Sequence, residues 1–296
     1  MAIHSSVKNR IQKLKEIFDT LRFGKESLLT VLDEAELPEN IYNSNAIENS
    51  TLTLKETERI LMDLEVSRKV TVRELFEAKN LSRVIEYKKN KVHEQDITIE
   101  LMLFLHTVLM NGINDAIAGR FRQNDEYVRI GTYVAIPPEH VEARMKELLV
   151  EYTSDLSSYF LEKITMFHLA FESIHPFNDG NGRLGRVLTN YQLIRLGFPR
   201  IIIRQKDKQL YYRAFTEYQN DKKTKLMEKV ISLALLESLH KRITYLEGKT
   251  IVLLSDYIRK QNLRASAVFN TARRQTISAF REKGVWKIGI EENIKE

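Results

Sequence analysis

In "YFLEKITMFHLAFESI" the residues Phe160, Ile164, Phe167, Phe171 and Ile174 step by 4, 3, 4 and 3, which puts all five on one face of an α-helix. The same apolar spacing runs through most long segments, and only five prolines and eleven glycines interrupt 296 residues. A mainly α chain is therefore predicted. One stretch departs from the pattern. In "EYVRIGTYVAIPPEHV", Val128 and Ile130 alternate with polar residues, Gly131 and Thr132 supply a turn, and Tyr133 to Ile136 follow. That stretch predicts a short β-hairpin.

Cysteine is absent, so neither a disulfide framework nor a thiolate metal site can form. The first residues alternate charge with isolated apolar side chains, unlike a signal peptide, and no apolar run reaches membrane-spanning length. A soluble cytoplasmic protein without a membrane partner is expected. The net charge of +6, from 46 basic and 40 acidic residues, implies no partner by itself. Its distribution is uneven: residues 249–287 hold nine Lys or Arg against Asp256 and Glu282.

Glycine makes up under 4% of the chain, against an average of roughly 7%, yet Gly180, Gly182 and Gly185 fall together in "HPFNDGNGRLGR", residues 175–186. Glycine lets backbone amides approach an anion, and "DGNG" leads into the helix-like "RLGRVLTNYQLIRL", so free N–H groups collect at a helix N-terminus. Arg183 and Arg186 are three apart and share a helical face, from which both reach one polyphosphate. Asp179 precedes this cradle and can hold a Mg²⁺ that bridges phosphate oxygens. His175 can accept a proton near neutrality. Pro176 ends the helix before it, and Phe177 reads as a buried anchor. Asp-Gly and Asn-Gly are also common turn formers, and a His at a helix end is often only a cap. A base, a metal carboxylate, an amide cradle and two arginines in one loop form a set that a turn does not need.

The stretch resembles the signature of the Fic family, His-x-Phe-x-Asp/Glu-Gly-Asn-Gly-Arg-x-x-Arg, at every fixed position. The resemblance implies a Fic-type helical bundle with a short β-hairpin flap. It also implies a protein adenylyltransferase that moves AMP from ATP to a Ser, Thr or Tyr hydroxyl of a protein target with the help of Mg²⁺. His175 would deprotonate the hydroxyl and Asp179 would hold Mg²⁺. Asn181 and Arg183 would orient the α- and β-phosphates, Gly180 and Gly182 would lend amides, and Arg186 would meet the γ-phosphate. The likeness covers roughly residues 100–200, including "LHTVLMNGINDAIAGRFRQ". The flap, with Val128, Ile130, Gly131 and Thr132, would align an extended segment of the target by strand addition.

Upstream, "SNAIEN" at 44–49 resembles the inhibitory motif Ser/Thr-x-x-x-Glu-Gly/Asn of one Fic class, with Ser44 and Asn49 as its flanks. By that resemblance Glu48 would pair with Arg186 and block the γ-phosphate position. Asn45 followed by Glu48 also has capping-box spacing, which would make the hexapeptide a helix start. The complete motif downstream, in the expected order, favours the inhibitory role.

Three segments are expected: 1–95 with helices and the inhibitory motif, 96–247 as the Fic core, and 248–296 as a winged-helix-like module. In the last, a second helix "RRQTISAFREKG" closed by Gly284 is predicted, with Arg273, Arg274, Gln275 and Thr276 at its start. The segment reads either as a nucleic-acid binder or as a small packing or homodimerising module with a basic face, and the sequence leaves both open. Two further readings stand beside AMP transfer. One is removal of AMP by water positioned on Glu48; the other is a DNA-binding regulator whose nucleotide site only senses ligand.

Overall fold

The computed structural model describes residues 4–66, 68–91, 96–131 and 133–291. Two compact units form: one from Pro38–Gly197 with Ile203–Glu228, the other from the chain up to Leu37, Phe198–Ile202 and the chain from Lys229 onward. Helices α1 (Ser5–Arg22), α2 (Glu26–Ile47), α3 (Leu54–Leu61), α4 (Val72–Lys91) and α5 (Ile99–Met110) precede a hairpin of β1 (Arg129–Ile130) and β2 (Tyr133–Val134). Then come α6 (Val141–Ser154), α7 (Phe160–Ile174), α8 (Asn181–Arg195), α9 (Lys208–Asp221) and α10 (Lys225–Leu246).

In the first unit α8 packs against α4, α5 and α7, and α7 packs in turn on α6 and α9. Leu184, Leu188 and Leu193 of α8 are fully buried, and its polar Arg183, Arg186, Thr189 and Gln192 are nearly so. A helix buried all round needs neighbours on every side, which explains why it lacks an apolar stripe of its own. Helix α7 shows the expected stripe, with Ile164, Phe167, Phe171 and Ile174 buried and Phe160 half-buried. The hairpin forms where its alternation predicts: Arg129 pairs with Val134 and Ile130 with Tyr133.

"SNAIEN" does not begin a helix. It closes α2, and Asn49 has φ 70°, the left-handed turn that ends the segment. The capping box sits instead at Thr53 and Glu56, where Glu56 N–H donates to Thr53 Oγ1 at 3.2 Å and Thr53 N–H to Glu56 Oε2 at 2.8 Å.

In the second unit, Arg242 of α10 is buried and donates to Asp33 at 2.6 Å and to Glu36 at 2.7 Å. Beyond Gly248 lie β3 (Thr250–Leu253), α11 (Leu254–Lys260), α12 (Ala265–Arg273), β4 (Ala279–Glu282) and β5 (Val285–Ile290). The strands form an antiparallel sheet in the order β3-β5-β4. The helix expected over "RRQTISAFREKG" is absent. Arg273 ends α12, Gln275 turns the chain with φ 53°, and Ala279–Glu282 is a strand paired to β5. Phe280, fully buried in the strand, has the aromatic character that a pleated surface favours, and Ile277 just before it is β-branched.

Candidate active site

The loop between α7 and α8 is built on two left-handed residues. His175, the C-cap of α7, has φ 52°, and its N–H donates to Phe171 O at 2.9 Å. Gly180, the N-cap of α8, has φ 81°. Only glycine adopts that conformation freely, and a Cβ there would also press on Leu109 at 3.2 Å. Asn181 closes the loop on itself: Phe177 N–H donates to its Oδ1 at 3.0 Å, and its Nδ2 donates to Phe177 O at 2.7 Å. With the side chain so engaged, what α8 offers outward is its orphan N-terminal N–H groups. Phe177 is fully buried and stacks on His106 at 3.8 Å, as its reading as an anchor requires.

His106 ties the loop to α5. Its Nδ1 accepts from Gly119 N–H at 3.0 Å, so Nε2 carries the proton and donates to Asp179 O at 3.0 Å. Arg122 does the same from another side. It is 2% exposed and donates to the carbonyls of His175 (2.8 Å), Ile136 (2.9 Å), Glu126 (3.0 Å) and Ile174 (3.3 Å). One guanidinium thus fastens the base of the hairpin to the backbone of His175. Within the hairpin, Val128 O accepts from Ala135 N–H at 2.9 Å, and Gly131 has φ 57° at the turn. Val134 is largely exposed, and Thr132 lies outside the described residues.

The charged groups of the loop are arranged in pairs. Asp179 Oδ1 accepts from Gly180 N–H at 2.6 Å and from Arg183 at 3.2 Å, and its Oδ2 accepts from Arg73. Burial works to raise its pKa, but Arg183 and Arg73 hold it below the ordinary value, so the carboxylate is charged. Arg183 also pairs with Glu77 at 3.2 Å. Arg186 reaches the end of α2: Nε donates to Ser44 Oγ at 3.0 Å, Nη2 to Ser44 O at 2.8 Å and Nη1 to Glu48 Oε1 at 2.9 Å. Its ring-side neighbour is Tyr211, 5.8 Å from the guanidinium, and the Tyr211 hydroxyl meets His168 Nε2 at 2.7 Å. Glu48 lies directly over α8, since a Cβ at Gly182 would be 2.2 Å from its Oε1. Asn49 closes the motif by accepting from Lys208 Nζ at 2.6 Å.

Residues 96–193 match the model of the Fic/DOC family. Over those residues the chain is similar to the Fic/DOC family. Similar curated proteins include "Protein adenylyltransferase fic-1" of Caenorhabditis elegans, 30% identical over 58% of this chain and 34% of the relative. Another is "Protein adenylyltransferase Fic" of Nematostella vectensis, 32% identical over 62% of this chain and 42% of the relative. The chain thus spans about a third to two fifths of the length of these relatives. Among solved structures, a Fic-domain signalling protein of Bacteroides thetaiotaomicron superposes with a TM-score of 0.72 at 25% identity, covering 81% of this chain and 98% of that one.

Beside the residues that the signature announces, the site gathers others that the sequence did not disclose. Arg73 and Glu77 come from α4, His106 from α5, Arg122 from the stretch before the hairpin, and His168 and Glu172 from α7. Tyr211 comes from α9. Arg122 lies in "AGRFRQ", inside the region that resembles the family, and that was its one available signal. Glu172 Oε2 is 3.9 Å from His175 Nδ1, and a Cβ at Gly185 would meet Glu172 Oε1 at 2.8 Å. Burial, with Glu48 nearby, pushes the Glu172 carboxyl up to about 8, against the pull of Arg186. Burial, with Arg122 beside it, lowers His175 to about 4. At neutral pH His175 is therefore uncharged, with a ring lone pair free to take a proton.

Stability should follow these buried groups. Burial lowers His106 to about 4 and His168 to about 3, and also lowers His240. With His175 that makes three imidazoles held near 3 to 4, neutral in the folded protein where the unfolded chain, at about 6.5, takes up protons, and the lowered His240 acts in the same direction. Their contribution is present above pH 6.5 and is lost as pH falls toward 4. Glu172 has the opposite sign: its raised value favours the folded protein at low pH, and that advantage is lost as pH rises through about 8. Thermal melts should therefore show the midpoint climbing from pH 5 to about 6.5 and easing downward toward pH 8. A midpoint that falls between pH 5 and 6.5 would contradict the neutral-histidine assignment.

Proposed function

We propose that the Fic domain transfers AMP from ATP to a Ser, Thr or Tyr hydroxyl of a protein, and that Glu48 holds the reaction back. The carrying observation is a neutral buried imidazole in the same loop as an amide-rich helix N-terminus whose arginine is already held by a carboxylate. In the forward reaction the target oxygen attacks the α-phosphorus and its proton passes to His175. The bond from that phosphorus to the bridging oxygen breaks, and diphosphate leaves. Attack at phosphorus asks the protein for a base, for positioning and for neutralisation of phosphate charge. His175, the α8 amides at Asn181 and Gly182, and Arg183 and Arg186 supply these.

The donor set suits one Mg²⁺. Asp179 offers a charged carboxylate, 34% exposed, at the mouth of the amide cradle. Mg²⁺ prefers one or two carboxylates together with phosphate oxygens and water, and it would neutralise charge on the phosphates when bound. Arg73 would give up its contact with Asp179 to admit the ion.

The flap residues Val128, Ile130, Gly131 and Thr132 would present the target as an added strand, Arg122 fixing the hairpin to the His175 backbone. Functionally we divide the chain into 1–95 with the inhibitory motif, 96–247 with the transferring core and 248–296 as a winged-helix-like module. We place its work in the cytoplasm. Among the described residues no helix is long and apolar enough to cross a membrane. The deciding experiment is incubation with α-labelled ATP and Mg²⁺ beside γ-labelled ATP. Label from the α position alone, on protein, is the expected result. Label from the γ position would indicate a kinase, and none from either, even without Glu48, would leave the site a ligand sensor.

A further inference from the structure

We propose that the C-terminal module binds duplex DNA, with α12 entering the major groove and basic residues on either side of it clamping the phosphates. The packing of α12 divides it cleanly. Val268, Phe269 and Ala272 face the small apolar core made by Leu254, Ile258, Ala279 and Ile288. Ser266, Asn270 and Arg273 step by 4 and 3 along the other side, and all three are exposed. The large apolar side chains exposed in this module are Leu253, Leu263 and Val285, none of them on α12. An outward helix face of Ser, Asn and Arg, with only the small Ala265 and Ala267 exposed beside them, offers a protein partner no large apolar side chain to bury. It does offer base edges their usual readers: Arg to guanine, Asn to adenine and Ser to either.

Charge supports the same occupant. From Arg259 to Arg281 the sequence holds six basic residues and no acid, although the whole chain is nearly balanced. Lys260, Arg264, Arg273 and Arg274 are exposed. They stand at both ends of α12: Lys260 and Arg264 before it, Arg273 in its last turn and Arg274 as its C-cap. Arg259 pairs with Asp256 at 2.9 Å, and Arg281 is engaged by Glu237 at 2.5 Å, so these two add less. Arg10 brings another cation to the same helix end, donating to Gln275 O at 2.7 Å and Arg274 O at 3.3 Å. At the tip of the β4–β5 hairpin, Lys283 and Gly284 both have positive φ and are exposed. A helix flanked by a basic-tipped hairpin suits a duplex, where the helix takes the groove and the hairpin the backbone. Gln275 is not a reader. It is 2% exposed, with Oε1 bonded to His240 Nδ1 at 2.9 Å and Nε2 donating to Ala272 O at 2.9 Å.

This inference does not depend on AMP transfer, and its test reads binding alone. Fluorescence anisotropy of the full chain with a labelled duplex of mixed sequence, from 50 to 200 mM salt, should give a dissociation constant of about 10⁻⁶ to 10⁻⁴ M. Affinity should fall with salt by roughly 0.9 in the log–log slope for each phosphate contacted. The variant Arg264→Ala, Arg273→Ala, Arg274→Ala should flatten that slope by about 3 and keep its transfer activity. Asn270→Ala should keep the slope but narrow the gap between selected and mismatched sites, a gap of roughly 5- to 150-fold for one well-read base. If the triple variant melts below the parent, Lys260→Ala with Arg264→Ala, which leaves the body of α12 untouched, replaces it and should flatten the slope by about 2. No binding at 100 µM protein and 50 mM salt overturns the proposal. So does equal binding by the variants, or tighter binding of single-stranded DNA or RNA than of duplex.

Discussion

His175→Ala should abolish the proposed AMP transfer and leave nucleotide binding near the parent value. The loss expected from removing a general base is about 10²- to 10⁴-fold, enough to take a slow reaction below detection. Binding should survive because the loop is held at this position mainly through main-chain atoms. The His175 N–H donates to Phe171 O and its carbonyl accepts from Arg122, both through main-chain atoms that alanine keeps. Histidine is among the residues enriched at positive φ, so alanine at φ 52° adds some strain, and a thermal melt of the variant checks that the loop keeps its fold. The groups proposed to face the phosphates belong to α8 and lie downstream. Calorimetry with ATP and Mg²⁺, run beside transfer measured by mass shift in the background lacking Glu48, separates the two properties. Transfer that persists in the alanine variant removes His175 from the chemistry. Binding that disappears along with transfer makes it a structural residue of the loop.

What the sequence disclosed about this site was local. The order His, Asp, Gly, Asn, Gly, Arg, Arg lies within twelve consecutive positions, and each spacing maps directly onto a helix end, a left-handed turn or a helical face. The apolar stripe of α7 was legible for the same reason. Arg122, His168, Glu172 and Tyr211 were not legible. Their roles arise from packing that brings a pre-hairpin stretch, α7 and α9 around α8, and nothing in "AGRFRQ" or "LYYRAF" tells the buried Arg122 from Arg120 or the buried Tyr211 from Tyr212. The error over "RRQTISAFREKG" has a different cause. Its helical look comes from Arg, Gln and Ala, whereas its strand state comes from β5, which pairs Phe280 with Lys287 and Arg281 with Trp286. Partners across a sheet outweigh weak intrinsic preference. In "SNAIEN" Glu48 lies against Arg186, while the hexapeptide ends a helix rather than starting one, so the capping-box spacing of Asn45 and Glu48 is coincidental.

Glu48→Gly should raise the proposed transfer by about 10- to 150-fold, with the chain's own Ser, Thr or Tyr as the expected acceptor. The estimate rests on competition for Arg186. A hydrogen bond to a charged group contributes roughly 1.5–3 kcal/mol, which converts to that range of occupancy. Glu48 is 35% exposed, so screening moves the figure toward the lower end. Burial works against the charge of Arg186, but Glu48 and Tyr211 hold its pKa above the ordinary value, so the guanidinium is a full cation awaiting an anion. Removing Glu48 does not release the arginine from its place. Ser44 still accepts from Nε at 3.0 Å and from Nη2 at 2.8 Å, so the freed Nη1 stays aimed where the carboxylate was. The same substitution clears the space above Gly182, where Glu48 Oε1 now sits. Glu48→Gln separates these effects, because it keeps the bulk and removes the charge; it should recover only part of the gain. The double variant Glu48→Gly with Arg186→Ala should lose the gain, since the γ-phosphate then has no partner. Equal activity in the double and single variants means Arg186 does not read the nucleotide. No gain in the single variant, on itself or on any lysate protein, means the Glu48–Arg186 pair only braces the end of α2 against α8.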